Sequence, residues 1–284
     1  MLRSLFAGIS GLRTNQTMLD VTGNNIANAN TTGFKSTSTV FQDTLTQMLT
    51  GASAAGAQRG GTNPIQVGLG VQVAATSTSF NQGAAQTTGR PTDLMIEGDG
   101  FFVVRQGAEQ LYTRAGAFSF DDTSTLVTPG GGLVLGFGLD ANGAPTGGLA
   151  PVRLTTAGLT PPVAAGTELT SYTVGSDGIV RALFSDGVQR DVAQIAIADF
   201  ANPMGLEKVG ETAFRASAST GAAQIGVPGQ GARGVIKAGA VEMSNVDLSA
   251  EFTNLILAQR GFQASSRVIT TSDSVLEELV NIQR

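Results

Sequence analysis

From Leu5 the apolar side chains recur at alternating steps of four and three: Leu5, Ile9, Leu12, then Leu19 and Ile26, with Gln16 and Gly23 on the same row. That spacing predicts one face of a helix with a seven-residue repeat. The pattern stops at Asn28. Asn28, Asn30, Thr31, Thr32 and Gly33 tolerate left-handed backbone or bond back to the local chain, so the helix is expected to end there and an extended segment to begin at Phe34. The far end of the chain repeats the pattern. Leu248, Phe252, Leu255, Phe262, Ile269, Leu276 and Val280 fall on one row, with Gln259, Ser266 and Asp273 among them. Asp247 and Ser249 are candidate N-caps. No proline follows Leu248, so a helix of roughly ten turns is allowed. A helix that long cannot bury its stripe against itself. The N-terminal helix is the expected partner, in an antiparallel or coaxial pair.

Between the stripes the period changes to two. Val67, Leu69, Val71 and Val73 alternate with polar residues and glycine, which predicts a strand running on from Ile65. Leu94–Ile96 and Phe101–Val104 flank Gly98-Asp99-Gly100, an expected hairpin turn. Leu111–Phe120 and Leu126–Thr128 bracket the polar run 121–124, and a strand is expected over Leu133–Leu139. Tyr172–Val174, Ile179–Phe184 and Val192–Phe200 are further strands, separated by Ser176-Asp177-Gly178 and Ser185-Asp186-Gly187. Residues 140–145 read as loop. Pro145, Pro151, Pro161 and Pro162 make 138–170 a loop-rich surface excursion with short strand pieces at best. Residues 50–63 are mostly Gly, Ala, Ser and Thr and read as a linker. The expected fold is α+β: paired, coiled-coil-like N- and C-terminal helices and a β-rich body of antiparallel strands. Residues 1–45 and 240–284 would form the helical assembly domain, 46–64 the linker and 65–239 the body.

Composition narrows the function. Glycine is 38 of 284 residues, about twice the average usage of roughly 7%. Charged residues are only 14%. This suits a turn-rich β protein and not a charged disordered chain. The net charge of −5 comes without a basic cluster, so nucleic acid is not an expected partner. Cysteine and histidine are both absent, which removes disulfides, thiolate ligands and the usual general base. No apolar run is long enough to span a membrane, so no membrane insertion is expected. Met1-Leu2-Arg3-Ser4-Leu5-Phe6 lacks the apolar core of a cleavable secretory signal.

The remaining candidate chemistry has plainer readings. Gly130-Gly131-Gly132 and Gly136-Phe137-Gly138 superficially resemble a phosphate cradle, but no Gly-Lys-Ser/Thr follows and no helix opens there. Asp121-Asp122 and Asp140-Ala141-Asn142-Gly143 lack the further ligands of a calcium loop and read as turns. Glu97 and Asp99 are a carboxylate pair of a kind every globular chain offers. No catalytic residue, metal site or cofactor is therefore expected, and the chain is not expected to be an enzyme. A secreted β-rich adhesin or tail-like binding protein would account for the body but not for the paired terminal stripes.

The run Asp20-Val21-Thr22-Gly23-Asn24-Asn25-Ile26-Ala27-Asn28, followed by Thr32-Gly33-Phe34-Lys35, resembles the start of bacterial flagellar rod and hook proteins. Glu242-Met243-Ser244-Asn245-Val246-Asp247-Leu248, followed by Ala258-Gln259-Arg260-Gly261-Phe262-Gln263, resembles their end. Asp93–Phe102 and Tyr112–Gly116 are similar to their middle. Within that family the chain most resembles the short form of the hook protein, with the distal rod protein second. The resemblance implies a helical homopolymer: a curved, torque-transmitting tube whose helical pair lines the inner core and whose β body forms the outer wall. It also implies location in the flagellum, outside the cell, and type III export without a cleaved signal. Leu2, Leu5 and Phe6 would be the export candidates. By the same resemblance the partners are the distal rod protein, the hook-capping protein, the hook-filament junction proteins and the export machinery.

Overall fold

The computed structural model describes residues 2–54, 56, 60–139, 144–154 and 169–282. The chain is α+β and divides into two units. Met1–Asn28, Ser36–Ser79 and Val246–Arg284 form the first, and Ala29–Lys35 with Phe80–Asn245 the second.

The first unit holds α1 (Leu2–Ala27), β1 (Thr37–Asp43), β2 (Thr46–Thr50), β3 (Ile65–Gly68), β4 (Val71–Thr78) and α2 (Leu248–Ile282). At 26 and 35 residues the helices match the periodic segments. Asp247 caps α2: its carboxylate accepts from the Ser249 and Ala250 amides at 2.9 and 3.3 Å, satisfying donors that have no partner within the helix. Ser249 lies inside the helix. β1 pairs antiparallel with β4, and β2 with β3. The single strand expected from Ile65 through Val73 is broken in two at Leu69-Gly70. Gly70 has φ +137°, and a Cβ there would overlap the Ser10 hydroxyl of α1. The alternation is real, but close approach to the helix bends the chain between its halves. Residues 46–64, expected as a linker, carry β2 and a bridge between Ser53 and Thr62 that prolongs the β2–β3 ribbon. Residues 65–79, expected in the body, pair within the first unit instead. Residues 55 and 57–59 of that segment lie outside the described residues.

Among the described residues, the second unit is built on a 13-stranded sheet whose strand pairings are antiparallel. Its centre is Phe101–Gln106, which pairs with Glu109–Thr113 across a two-residue turn at Gly107-Ala108. The run Phe101-Phe102-Val103-Val104 is apolar throughout because both faces are covered. Phe102 and Val104 join Leu94, Ile96, Leu111, Phe118 and Ile195 in one core, while Phe101 and Val103 join Tyr112, Leu135, Phe200 and Phe214 in another. This is the period-two geometry of a strand buried on both sides. The hairpin expected at Gly98–Gly100 does not form. Leu94–Glu97 pairs with Val235–Ala238 instead. Gly98 and Gly100 have φ of +101° and +125° and turn the chain out of one sheet into another. Val192–Phe200 is two strands, ending at Ile195 and resuming at Ile197. Pro145–Pro151 is a strand beside Leu133–Leu139. Val152, just beyond it, is buried in the core, and residues 140–143 and 155–168 of the predicted loop and excursion lie outside the described residues.

Leu169–Val174, Ile179–Phe184 and Gln189–Ile195 form a meander whose two turns share one chemistry. In each, an aspartate accepts from an amide two residues on and pairs with an arginine four residues on. These are Asp177 with Ile179 and Arg181, and Asp186 with Val188 and Arg190. Gly178 and Gly187, both at φ +75°, complete the turns. The hydrogen bonds from Arg190 hold the Asp186 carboxyl below its ordinary range. A depressed folded pKa contributes stability above the unfolded value of about 3.9 and loses it as pH falls further. Thermal melts of the wild type should therefore drop more steeply below about pH 4 than melts of Asp186→Asn, which lacks the titrating group. Parallel curves would show that the pair adds nothing.

Candidate assembly surface

α1 and α2 pair antiparallel through a row of small and polar residues. Gly8 faces Val268 and Ile269, Gly11 faces Ser265, and Asn15 faces Gly261. Further along, Asn25 donates to the Glu251 carboxylate at 3.0 Å. A Cβ on Gly11 would lie 2.9 Å from the Ser265 hydroxyl, and one on Gly261 2.5 Å from the Asn15 side-chain oxygen. The helix axes can come this close only because those side chains are missing or short. Thr22 and Ala258, on the same rows, are buried. Asn25 does most to join the elements of this unit. Besides Glu251 it donates to the Thr37 carbonyl at 2.8 Å and accepts from the Thr37 amide at 3.1 Å, tying β1 to both helices.

This seam is not the apolar stripe read from the sequence. It lies one residue earlier along both helices, about 100° around each axis. Leu5, Ile9, Leu12, Leu19 and Ile26 flank it half-buried, as do Leu255, Phe262, Ile269 and Leu276. Of these, Ile269 reaches the seam, against Gly8. Leu248, Phe252 (51% exposed) and Val280 face outward. Ile256 and Leu257 (60%) add to the exposed apolar surface of α2, and Phe6 adds to that of α1. Leu2 opens α1, and its side chain lies outside the described residues. On the strands of the same unit Val40, Phe41, Met48, Leu49, Ile65 and Val67 are exposed, with Leu45 (70%) between β1 and β2. A two-stranded ribbon such as β2–β3 is marginal in water by itself. Among the described residues, most of the exposed large apolar side chains lie in this unit.

The residues of the N-terminal motif divide between the units. Asn24 and Ala27 are exposed at the end of α1, where Asn28 donates from its side chain to the Asn24 carbonyl at 2.9 Å. Gly33, Phe34 and Lys35 belong to the second unit. Gly33 takes φ +69° and donates to the Glu242 carbonyl at 2.8 Å, and a Cβ on it would overlap the Ala115 amide. Phe34 lies under the Lys208 ammonium, 4.9 Å from ring centre to nitrogen. Lys35 is fully buried and donates to Glu242 at 2.6 Å and to the Asn81 carbonyl at 2.8 Å. Burial pushes its pKa below the usual lysine value, against the pull of the Glu242 carboxylate. The other Glu242 oxygen faces Arg114 at 3.5 Å, an ion pair rather than a close hydrogen bond. Asn245 donates to the Asn81 carbonyl at 3.2 Å, and Val246, half-buried, begins the return to the first unit.

Glu242, Arg114, Glu251, Ala258 and Gly261 escaped sequence reasoning as site residues. The available signal was a charge in apolar company, Lys35 after Phe34 and Glu242 after Ala240-Val241. The carboxylates considered for catalysis and for calcium have ordinary surroundings. Glu97, of the first pair, lies 3.4 Å from Lys237 at the surface, and Asp121, of the calcium candidates, accepts from the Thr123 and Thr125 amides in a turn. Gly130 is covered by the Glu211 carboxylate.

The chain thus carries a paired-helix unit with half-buried and exposed apolar flanks, and a β body with its own core. Three family descriptions match the chain in order. They are the flagella basal body rod protein over residues 5–35, the flagellar hook protein FlgE/F/G D1 domain over 95–182, and the flagellar basal body rod FlgEFG protein C-terminal region over 237–282. The chain is 46% identical to the flagellar basal-body rod protein FlgG of Bacillus subtilis over 285 aligned positions, covering 100% of both. It is 33% identical to FlgG of Borreliella burgdorferi over 290 positions and 29% identical to the flagellar hook protein FlgE of that organism over 441, again covering 100% of both. The chain belongs to the flagellar rod and hook protein family.

Proposed function

We propose that this chain is a structural subunit of the flagellar axial tube, and within it the distal rod subunit rather than the hook subunit. The observation that carries the assembly reading is the uncovered apolar surface of the first unit, on α1, α2 and the two strand pairs. Each Å² of it removed from water by a neighbour stabilises by about 25 cal/mol, so a surface repeated in every copy favours a polymer of the chain with itself. The second unit keeps its own core and contributes the wall. Leu2, Leu5 and Phe6 head the export-competent end, read by the type III machinery before the helices pair.

The sequence resemblance placed the hook first, and alignment length favours the rod. The rod protein of Bacillus subtilis aligns with these 284 residues over 285 positions, whereas the hook relative needs 441. The hook relative therefore carries a long stretch with no counterpart in these 284 residues. Electron microscopy of the assembled protein tests the reading. Straight tubes are expected, and curved tubes would return the assignment to the hook. Phe252→Asp places a charge on the exposed flank without touching the seam. It should leave a folded monomer that forms no tubes. Tubes of normal length from that variant would remove α2 from the assembly surface.

A further inference from the structure

The chain passes between its two units at 28–29, 35–36, 79–80 and 245–246. Within the second unit, the three segments that end at these crossings are held by one buried residue, Glu242. Its carboxylate accepts from Lys35 at 2.6 Å in the segment 29–35, and from the Gly83 amide at 2.8 Å in the segment that starts at Phe80. Its carbonyl accepts from Gly33. Glu242 itself lies in the segment that leaves at Asn245. Asn81 adds a second tie, its carbonyl accepting from both Lys35 and Asn245. Met243 donates to the Ala84 carbonyl at 2.9 Å, and Gly83 admits no Cβ because Met243 O occupies that place. Arg114, at the end of the central hairpin, faces the same carboxylate and stacks over Phe101 at 5.3 Å.

We propose that Glu242, with Lys35 and Arg114, is a clamp that gathers every crossing segment at one point and fastens them to the central sheet. Two physical features separate it from ordinary core packing. An aliphatic side chain would fill the space, but it could neither accept from Lys35 and Gly83 at once nor pair with Arg114. Lys35 and Glu242 also carry charges that burial penalises unless both are present, so the segments close together or not at all. The partners lie 207 residues apart in the chain. The segment 29–35 therefore stays open until residue 242 has arrived, whatever the state of the central sheet. Carrying force between the units through this point rests on the tube-forming function. The clamp itself does not, and the experiment below needs no polymer.

Hydrogen exchange on the monomeric full-length chain tests it. Glu242→Gln keeps the shape and removes the charge. Protection of the Gly33, Gly83 and Met243 amides should fall at least about tenfold, while that of Val103, Val104 and Leu111 stays within about twofold. Unchanged protection at Gly33 and Gly83 overturns the clamp. So does an equal loss across the central strands, which marks a general loss of stability. If Glu242→Gln does not fold, Lys35→Met is read by the same comparison, since it leaves Glu242 its bond from Gly83 and its pairing with Arg114. The same local loss supports the clamp, and uniform or absent loss rejects it. A monomer that passes this test but forms no straight tubes would sink the rod reading alone.

Discussion

Gly116→Ala is expected to unfold the second unit or bring it close to unfolding. A Cβ at Gly116 would overlap the Leu94 carbonyl oxygen, and it would sit 2.7 Å from that carbonyl's carbon and 3.3 Å from the Phe102 ring. The obstacle is backbone, which cannot swing aside as a side chain would. Gly116 also accepts a hydrogen bond from the Leu94 amide at 2.9 Å, and Leu94 and Phe102 are both fully buried. Making room means breaking that bond and shifting two core side chains. Overpacking and an unsatisfied buried amide together cost about 3 kcal/mol or more, a large share of the roughly 5–15 kcal/mol that holds a domain folded. Urea unfolding followed by circular dichroism should show the midpoint collapsing. A midpoint within experimental scatter of the wild type would mean that the two backbones are not locked at this distance.

Ala258→Asp is expected to abolish assembly while leaving the second unit intact. Ala258 is fully buried on the seam row of α2. The seam there is built from small side chains, and none of the contacts described along it supplies a cation. A carboxylate would be buried unpaired at a cost of several kcal/mol, or the helices would part. The damage recurs in every copy, so polymer should be lost outright rather than shortened. The variant differs from Phe252→Asp in one readable way. Hydrogen exchange along α1 should accelerate in Ala258→Asp and stay unchanged in Phe252→Asp. Normal tubes from Ala258→Asp would show that the antiparallel seam is dispensable.

Much of the architecture is legible in the sequence because it rests on local periodicity. The row from Leu5 to Ile26 and the row from Leu248 to Val280 specify helices whatever they pack against. Asp247 is a cap by its own chemistry, and Asp177-Gly178 and Asp186-Gly187 are turns because aspartate bonds two residues ahead and glycine accepts the positive φ. What periodicity leaves open is the face a helix turns to its partner, within about one residue of rotation. Large apolar side chains marked the stripe, yet the closest approach went to Gly8, Gly11, Ala258 and Gly261, because small residues bring axes together and leave the bulky ones at the flanks.

Pairing at long range was decided by tertiary structure alone. Leu94–Ile96 and Phe101–Val104 face each other across a glycine turn in the sequence, but they went to different sheets because Val235–Ala238 offered the first a partner. The alternating run from Val67 to Val73 carried no sign that Gly70 would meet Ser10. Lys35 and Glu242 are each unremarkable charges in the chain. They become a buried pair only when segments 207 residues apart are brought within 2.6 Å. Local propensity acts over a few bonds and can be read along the chain. The energy of a buried charge depends on who stands opposite, and only the folded molecule says who that is.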